Sequence, residues 1–325
     1  MTGFNSPVLS YFLSVVGVML HAILDMKHLL SIEELDAGQL ESLISLGIEM
    51  KRTRQTTDAV KPLAGQTWAM VFTKSSTRTR VSFEVGIREL GGDVMFLSGN
   101  DLQLGRGEPV KDTARVMGRM VHGIVIRTFA QQDVEDFAKW GQIPVVNALT
   151  DEEHPCQILA DLMTVKEQLG TWEAQKIVFV GDGDNNMSRS WMWAAKYLGF
   201  EFVVASPKDC QPPASFLEKL NASNVSVTDD VRAAMSGASV VNTDVWLSMG
   251  QEGQLEKEQQ FSGFQVNEST MSVAKEGAIV LHCLPAYRDK EISEETLEKH
   301  AEVIFSQAEN RLHAQKAVLA TLQSS

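Results

Sequence analysis

Two arginines and five hydroxyl side chains share nine residues of this chain, "FTKSSTRTR" at 72–80. The apolar run "TWAMVF" (67–72) precedes them and an amphipathic stretch follows. The spacing predicts a strand, a turn and a helix from about Ser75 to Leu90. Ser76, Thr77 and Thr79 offer hydroxyls, Arg78 and Arg80 offer charge, and a helix start offers N–H groups with no intrahelical partner. Together these make a phosphate cradle. The bland alternative is a capped helix with a solvated basic face. Against it, two arginines at a helix N-terminus oppose the macrodipole, a cost that a bound anion offsets.

Four further segments carry reactive side chains. In "HPCQ" (154–157), Pro155 holds His154 extended, and His154 and Gln157 can both donate to a carbonyl oxygen; a satisfied turn histidine is the plain alternative. A zinc site through His154 and Cys156 fails, because no second ligand pair stands at the usual spacing. "GDGDNN" (181–186) has a glycine turn after a strand but lacks the third glycine, and Asp182 and Asp184 would repel a pyrophosphate. Asn185 and Asn186 therefore read as polar contacts to a small substrate. "DVWLSMG" (244–250) sets Asp244 at a strand end, where a carboxylate can receive an ammonium group, ahead of a polar loop; a surface loop after an edge strand is the alternative. "HCLPAYRD" (282–289) sets Cys283 at another strand end, as nucleophile, hydrogen-bonding partner or packed thiol. Near the C-terminus, Arg311 in "AENRLHAQKA" is a further anion contact or a surface charge.

What positions these residues is an alternation of short apolar strands with amphipathic helices, the pattern of α/β architecture. Strands are expected at 67–72, 93–97, 123–128 and 144–148 in the first half. In the second half they are expected near 176–183, 201–206, 224–229, 239–246 and 277–286. Every candidate segment but Arg311 falls in a loop or turn beside one of them, most after a strand, and parallel sheets bind ligands at the carboxyl ends of their strands. At 325 residues the chain suits two domains, each a mostly parallel sheet flanked by helices and joined by bridging helices. The helix 157–170 is the expected link, and a last helix is expected from about Asn310 to Leu322. The boundaries expected are 26–157 with a returning helix at 309–325, and 158–308.

Charge and cysteine content narrow the field. With 29 Lys+Arg against 42 Asp+Glu, the net charge of −13 argues against bulk nucleic-acid binding. Three scattered cysteines make no disulfide framework, so a reducing, cytoplasmic setting is expected. No charged residue precedes Asp25, yet Ser, Gly and His interrupt the apolar run, so a membrane role is not expected. Residues 1–25 read as an extra amphipathic helix or an upstream extension, with Met26 as the natural start. Ser31 and Glu34 have the spacing of a capping box ahead of an amphipathic helix.

The strings "STRTR", "HPCQ", "DVWLSMG", "HCLP" and "ENRLHAQKA", in this order from about Met26 to Leu322, resemble the aspartate/ornithine carbamoyltransferase family; "SMG" and "HCLP" point to its ornithine branch. The resemblance implies two α/β domains, with the last helix packed back on the first. It also implies trimers with active sites between subunits, and no metal or organic cofactor. Carried over by position, Ser76, Thr77, Arg78 and Thr79 bind the phosphate of carbamoyl phosphate, with Arg127, His154 and Gln157 on its carbonyl and phosphate side. Gln103 resembles the residue given by a neighbouring subunit. Asn186, Asp244, Ser248 and Met249 bind L-ornithine, and Cys283, Leu284 and Arg311 complete the site. The catalytic set implied is Asp244, Cys283, Arg127 and His154. Thr73 stands where Glu is common, and Ser188-Arg189 is bulkier and more basic than usual. Transfer to a related amine, putrescine or an N-acylated ornithine, is the alternative reading.

Overall fold

The computed structural model describes residues 26–99, 107–247, 253 and 255–323. Gln103, Ser248, Met249 and residues 1–25 lie outside the described residues. The chain divides into two units. One runs to Asp151 and takes in Arg311–Ser325; the other is Glu152–Asn310. His154–Gln157 thus falls in the second unit, whereas the sequence reading assigns it to the first.

The first unit opens with α1 (Ala37–Arg52). Its cap is Asp36, whose carboxylate accepts from the Gln39 N–H while Gln39 reaches back to the Asp36 N–H. Ser31, the cap expected from sequence, instead accepts from Glu34 N–H in a turn just before this helix. Asp36 wins because both halves of the box are satisfied at the true helix start. There follow β1 (Thr67–Phe72), α2 (Thr77–Glu89), β2 (Asp93–Ser98), α3 (Val110–Met117), β3 (Gly123–Arg127), α4 (Gln131–Gly141) and β4 (Val145–Leu149). The strands form one parallel sheet in the order β2-β1-β3-β4. Inner strands β1 and β3 are almost wholly buried, which is why they read as unbroken apolar runs. Ala69, Val71, Ile124, Ile126 and Val145 pack against Ala114, Met117, Val134 and Phe137 of the covering helices. Gly123 is required where β3 meets β1: a Cβ there would lie 2.5 Å from the Trp68 ring.

The second unit continues with α5 (Pro155–Leu169), β5 (Lys176–Val180), α6 (Asn186–Leu198), β6 (Glu201–Ala205), α7 (Ala214–Leu220), β7 (Val225–Thr228), α8 (Val231–Met235) and β8 (Val240–Thr243). Then come α9 (Leu255–Gln260), α10 (Glu268–Met271), β9 (Ile279–His282), α11 (Glu294–Lys299) and α12 (Ala301–Gln323). Its five strands are parallel in the order β7-β6-β5-β8-β9. Val178, Val180, Val241 and Val280 face Val231, Met235, Phe261 and Leu297 on one side. Trp191 of α6 stacks on Phe202 of β6, with ring centroids 5.8 Å apart.

The two parallel sheets and their flanking helices are as the alternation implies. The short helices α9, α10 and α11 carry too few residues for a periodic signal. Helix α12 begins nine residues before the expected Asn310, because its pattern is inverted in places: Gln307, Asn310 and His313 are buried while Phe305 is exposed. No helix among the described residues is long and apolar enough to cross a membrane.

The C-terminal part of α12 is held in the first unit. Lys316 Nζ donates to Glu89 Oε2 at 2.8 Å, and Arg54 Nη2 donates to Glu89 Oε1 at 2.8 Å. Gly86 leaves room for Lys316 and Leu312 beside α2. Burial raises the Glu89 pKa, but the hydrogen bonds from Lys316 and Arg54 outweigh it and hold the carboxyl below the usual glutamate range. A lowered folded pKa contributes stability above the unfolded value, near 4.3, which is lost as pH falls through the folded value. Glu89→Gln is expected to destabilise the protein by about 1.5 kcal/mol at pH 7. The difference from wild type should shrink below about pH 4. Urea denaturation across that range reads both numbers; an equal deficit at every pH would contradict the charge argument.

Candidate functional site

In the first unit, the loop from β1 to α2 is built as the residue types suggest. Ser76 is extended and caps α2, its Oγ accepting from Thr79 N–H at 3.2 Å. Thr79 is buried, and its hydroxyl accepts from Arg311 Nη2 at 3.0 Å, so the returning helix delivers a guanidinium to this loop. Arg127 ends β3 directly beside Phe72, the last residue of β1, and is 6% exposed. Its carbonyl accepts from the Thr73 N–H at 2.9 Å, which pins the loop to the neighbouring strand. Thr73 donates to the Thr128 hydroxyl, which in turn donates to Asp133.

The loop's cations divide into engaged and waiting groups. Lys74 is buried, paired with Asp151 and set over the Phe129 ring at 4.2 Å. Arg80 turns outward to Glu84, one helical turn on, and lies over Phe96 at 3.7 Å. Arg78 is half-buried and has no hydrogen-bond or ion-pair partner among the described residues. The half-buried Ser76 and exposed Thr77 stand beside it. The structure therefore brings Ser76, Thr77, Arg78, Thr79, Arg127 and Arg311 to one unit.

In the second unit, Asp244 and Cys283 follow the adjacent strands β8 and β9, whose last residues, Thr243 and His282, are paired. Cys283 Sγ donates to Asp244 Oδ1 at 3.0 Å, and Val245 N–H donates to the same oxygen at 2.8 Å. Burial pushes the Asp244 carboxyl above the usual aspartate range, against the opposing pull of His282, Cys283 and the Val245 N–H. A thiol donating to a carboxylate is a hydrogen-bonding partner, the second of the three roles open to Cys283.

A buried polar chain supports this pair. Leu284 sits in the left-handed region at φ 56, and its N–H donates to His282 Nδ1 at 2.9 Å. That bond puts the ring proton on Nε2, which faces Glu291 Oε1 at 3.0 Å. Glu291 also accepts from Tyr287 N–H at 2.7 Å. His282 N–H donates to Gln307 Oε1, Gln307 Nε2 donates to Asp161 Oδ1, and Gln157 Nε2 donates to that same oxygen, at 2.9, 2.6 and 2.7 Å. Gln157 thus has one of its two amide hydrogens committed to Asp161. Asp244, His282 and Cys283 bring ligand atoms within 4.8 Å of one another. Both ring nitrogens of His282 are already engaged, so the trio offers two ligands, fewer than the three or four of a zinc site.

The glycine turn after β5 is not a nucleotide cradle. Asp182 is buried against Lys257 at 2.6 Å, and Asp184 pairs with Arg189 at 2.6 Å. Asn185, read from sequence as a substrate contact, is the cap of α6, its Oδ1 accepting from Ser188 N–H at 2.8 Å. Its amide nitrogen is buried with no hydrogen-bond partner among the described residues, so a donor remains beside the cap. Asn186, one residue on, remains half-buried in the first turn.

Sequence reasoning passed over Asp161, Gln307, Glu291, Glu153 and Ser190. Glu153 had one visible signal, an acid directly before the "HPCQ" string. Gln307 and Ser190 gave none, because each acts through a partner distant in sequence, Asp161 at 146 residues and Glu153 at 37.

Residues 27–167 match the family model described as the aspartate/ornithine carbamoyltransferase carbamoyl-P binding domain. Residues 173–322 match the Asp/Orn binding domain of the same family. The ornithine carbamoyltransferase of Akkermansia muciniphila is 60% identical over 300 residues, covering 91% of this chain and 98% of the relative. That of Campylobacter fetus is 50% identical over 301 residues, covering 90% and 97%. Among solved structures, the anabolic ornithine carbamoyltransferase of Campylobacter jejuni superposes with a TM-score of 0.85 at 44% identity, covering 91% of this chain and 99% of that one. The Pyrococcus furiosus enzyme gives 0.84 at 41%, covering 90% and 96%.

The raised pKa of Asp244 carries a sign that can be checked. A carboxyl whose folded pKa lies above its unfolded value, near 3.9, makes stability fall as pH rises from there through the folded value. Asp244→Asn removes the ionisation, so the variant is expected to lose less stability than wild type between pH 4 and 7. Its melting temperature at pH 7 should equal or exceed the wild-type value. Thermal melts across this range test it, and a variant less stable than wild type at pH 7 would refute the buried-charge account.

Proposed function

The chain belongs to the aspartate/ornithine carbamoyltransferase family, and from that premise we propose that it transfers the carbamoyl group of carbamoyl phosphate to the side-chain amine of L-ornithine, giving L-citrulline and phosphate. The observation that carries this reading is Arg78. A half-buried guanidinium at a helix N-terminus, with hydroxyls beside it and no anionic partner among the described residues, has the charge and donors that a phosphate dianion requires.

The phosphate is held by Ser76, Thr77, Arg78 and Thr79, with Arg311 reinforcing Thr79. Arg127, His154 and Gln157 serve the carbonyl and phosphate side. Asp244 and Cys283, with Asn186, take the amine; Leu284 completes the set, and Ser248 and Met249 retain the ornithine contacts given by the resemblance.

The chemistry has two demands. An ornithine side-chain ammonium has an ordinary pKa near 10.4 and must shed a proton before it can attack. Asp244, held by burial above the usual range, is a carboxylate disposed to accept positive charge, and the Cys283 thiol fixes which oxygen faces the amine. Attack forms the N–C bond and puts negative charge on the carbonyl oxygen, where donors from Thr79, Arg127 and His154 stabilise it, each worth about 3 kcal/mol. The C–O bond to phosphate then breaks as the nitrogen's remaining extra proton passes to the departing phosphate, which leaves as the dianion paired with Arg78. No covalent enzyme intermediate is needed.

The assembly proposed is a homotrimer. Its support is the resemblance, together with apolar side chains exposed on the first unit, among them Met120 at 74% and Val81 at 54%. A cytoplasmic setting is proposed on the three free cysteines.

Carbamoyl phosphate with a panel of L-ornithine, putrescine and N-acetylornithine tests the reaction; citrulline formation from L-ornithine is expected, and a preference for either other amine would replace the proposal. Arg78→Ala is expected to lower kcat/KM by about 10³-fold or more with an unchanged melting temperature. Activity within tenfold of wild type in that variant would remove the phosphate argument. Light scattering should return three times the chain mass.

A further inference from the structure

Glu153, directly before His154, is a carboxylate only 5% exposed. Its Oε2 accepts from the Ser190 hydroxyl at 2.5 Å, and the Ser190 oxygen accepts in turn from the backbone N–H of His154 at 2.9 Å. Ser190 is fully buried in the second turn of α6. This short chain begins and ends on consecutive residues, so it closes a loop around the peptide that presents His154.

The post to which it ties that loop is rigid. Asn185 caps α6, the Ser188 hydroxyl donates to the Gly183 carbonyl at 2.6 Å, Arg189 pairs with Asp184, and Trp191 stacks on Phe202. Ser190 also stands four residues after Asn186, on the same face of the helix. The backbone of His154 is already narrowed by the following Pro155. One N–H bond to a fixed hydroxyl then settles the direction in which the imidazole leaves the chain.

We propose that Ser190 and Glu153 are positioning residues for the carbamoyl-phosphate contact made by His154, with Ser190 holding the backbone and Glu153 holding the Ser190 hydroxyl in its accepting orientation. The inference rests on the carbamoyl-transfer reading. A hydroxyl alone can rotate and offer its hydrogen elsewhere. A carboxylate fixed on its far side takes that hydrogen, and the lone pairs are left toward His154. The "NNMSRSW" segment, whose Ser188 and Arg189 depart from the usual small residues, thereby gains a role: it supplies the stiff helix start from which Ser190 acts.

Steady-state kinetics on the full chain, varying each substrate in turn, test this with Ser190→Ala, Glu153→Leu and Glu153→Gln. Ser190→Ala and Glu153→Leu are expected to raise KM for carbamoyl phosphate about tenfold, the scale of one lost hydrogen bond, with KM for ornithine within about twofold of wild type. Glu153→Gln keeps an acceptor oxygen and should stay within about twofold for both substrates. Melting temperatures give the independent readout, since exchanging a buried carboxylate for leucine can leave stability unchanged or higher while KM worsens. An unaltered KM for carbamoyl phosphate in both Ser190→Ala and Glu153→Leu would overturn the inference, as would a Glu153→Gln variant as impaired as Glu153→Leu. A wild-type chain that forms no citrulline would overturn the transfer reading itself, an outcome distinct from either.

Discussion

A guanidinium at the amino end of a helix sits in the wrong field, and the first unit is organised around that misfit. Ser76 consumes one of the free N–H groups of α2 by capping Thr79, yet no side chain of that loop neutralises Arg78. The neighbouring cations are all accounted for, Lys74 by Asp151 and Arg80 by Glu84. With the other cations of the loop paired, Arg78 leaves unneutralised positive potential at the start of α2, the feature on which the proposed phosphate site rests. Arg311, brought by α12 to the Thr79 hydroxyl, deepens the same potential.

The second unit solves a different problem, that of holding a carboxyl whose charged form is disfavoured by burial. Asp244 is satisfied locally by a thiol and a backbone N–H, but the strand end that carries Cys283 is itself held by distant groups. Glu291 fixes the tautomer of His282, His282 fixes the Leu284 N–H, and Gln307 with Asp161 carries the support as far as Gln157. Each link uses an atom that burial would otherwise leave unsatisfied, so the network is rigid as a matter of solvation as well as geometry. Polar residues in the interior here orient reactive groups, and apolar contacts elsewhere supply the cohesion.

The strands are legible in the sequence because parallel sheets covered on both faces demand continuous apolar runs, and "TWAMVF" or "KIVFV" admits few other readings. The loop chemistry is legible where local residues act together, as at Ser76–Thr79. It is misread where one residue competes with its neighbour to cap the same helix or turn. Asp36 rather than Ser31 caps the first helix, and Asn185 also serves as the cap of α6, a role its sequence reading did not include. Groups that act across long sequence separations leave no local trace. Nothing near Asp161 announces that Gln307 will reach it from 146 residues away. Helix α12 reads too short for a related reason, since a helix that buries glutamine, asparagine and histidine has no apolar stripe to count.

The first unit is assembled from both ends of the chain, its body ending at Asp151 and its closing piece being Arg311–Ser325. Those last residues bring both Arg311 and Lys316, hence one donor to the Thr79 hydroxyl and one clasp on α2. During synthesis the body emerges from the ribosome first and must wait, unfinished, until nearly the whole polypeptide has followed. A message cut short by its last fifteen codons would yield a product complete in most of its fold, yet lacking both Arg311 and Lys316 to close the unit that its own beginning had started.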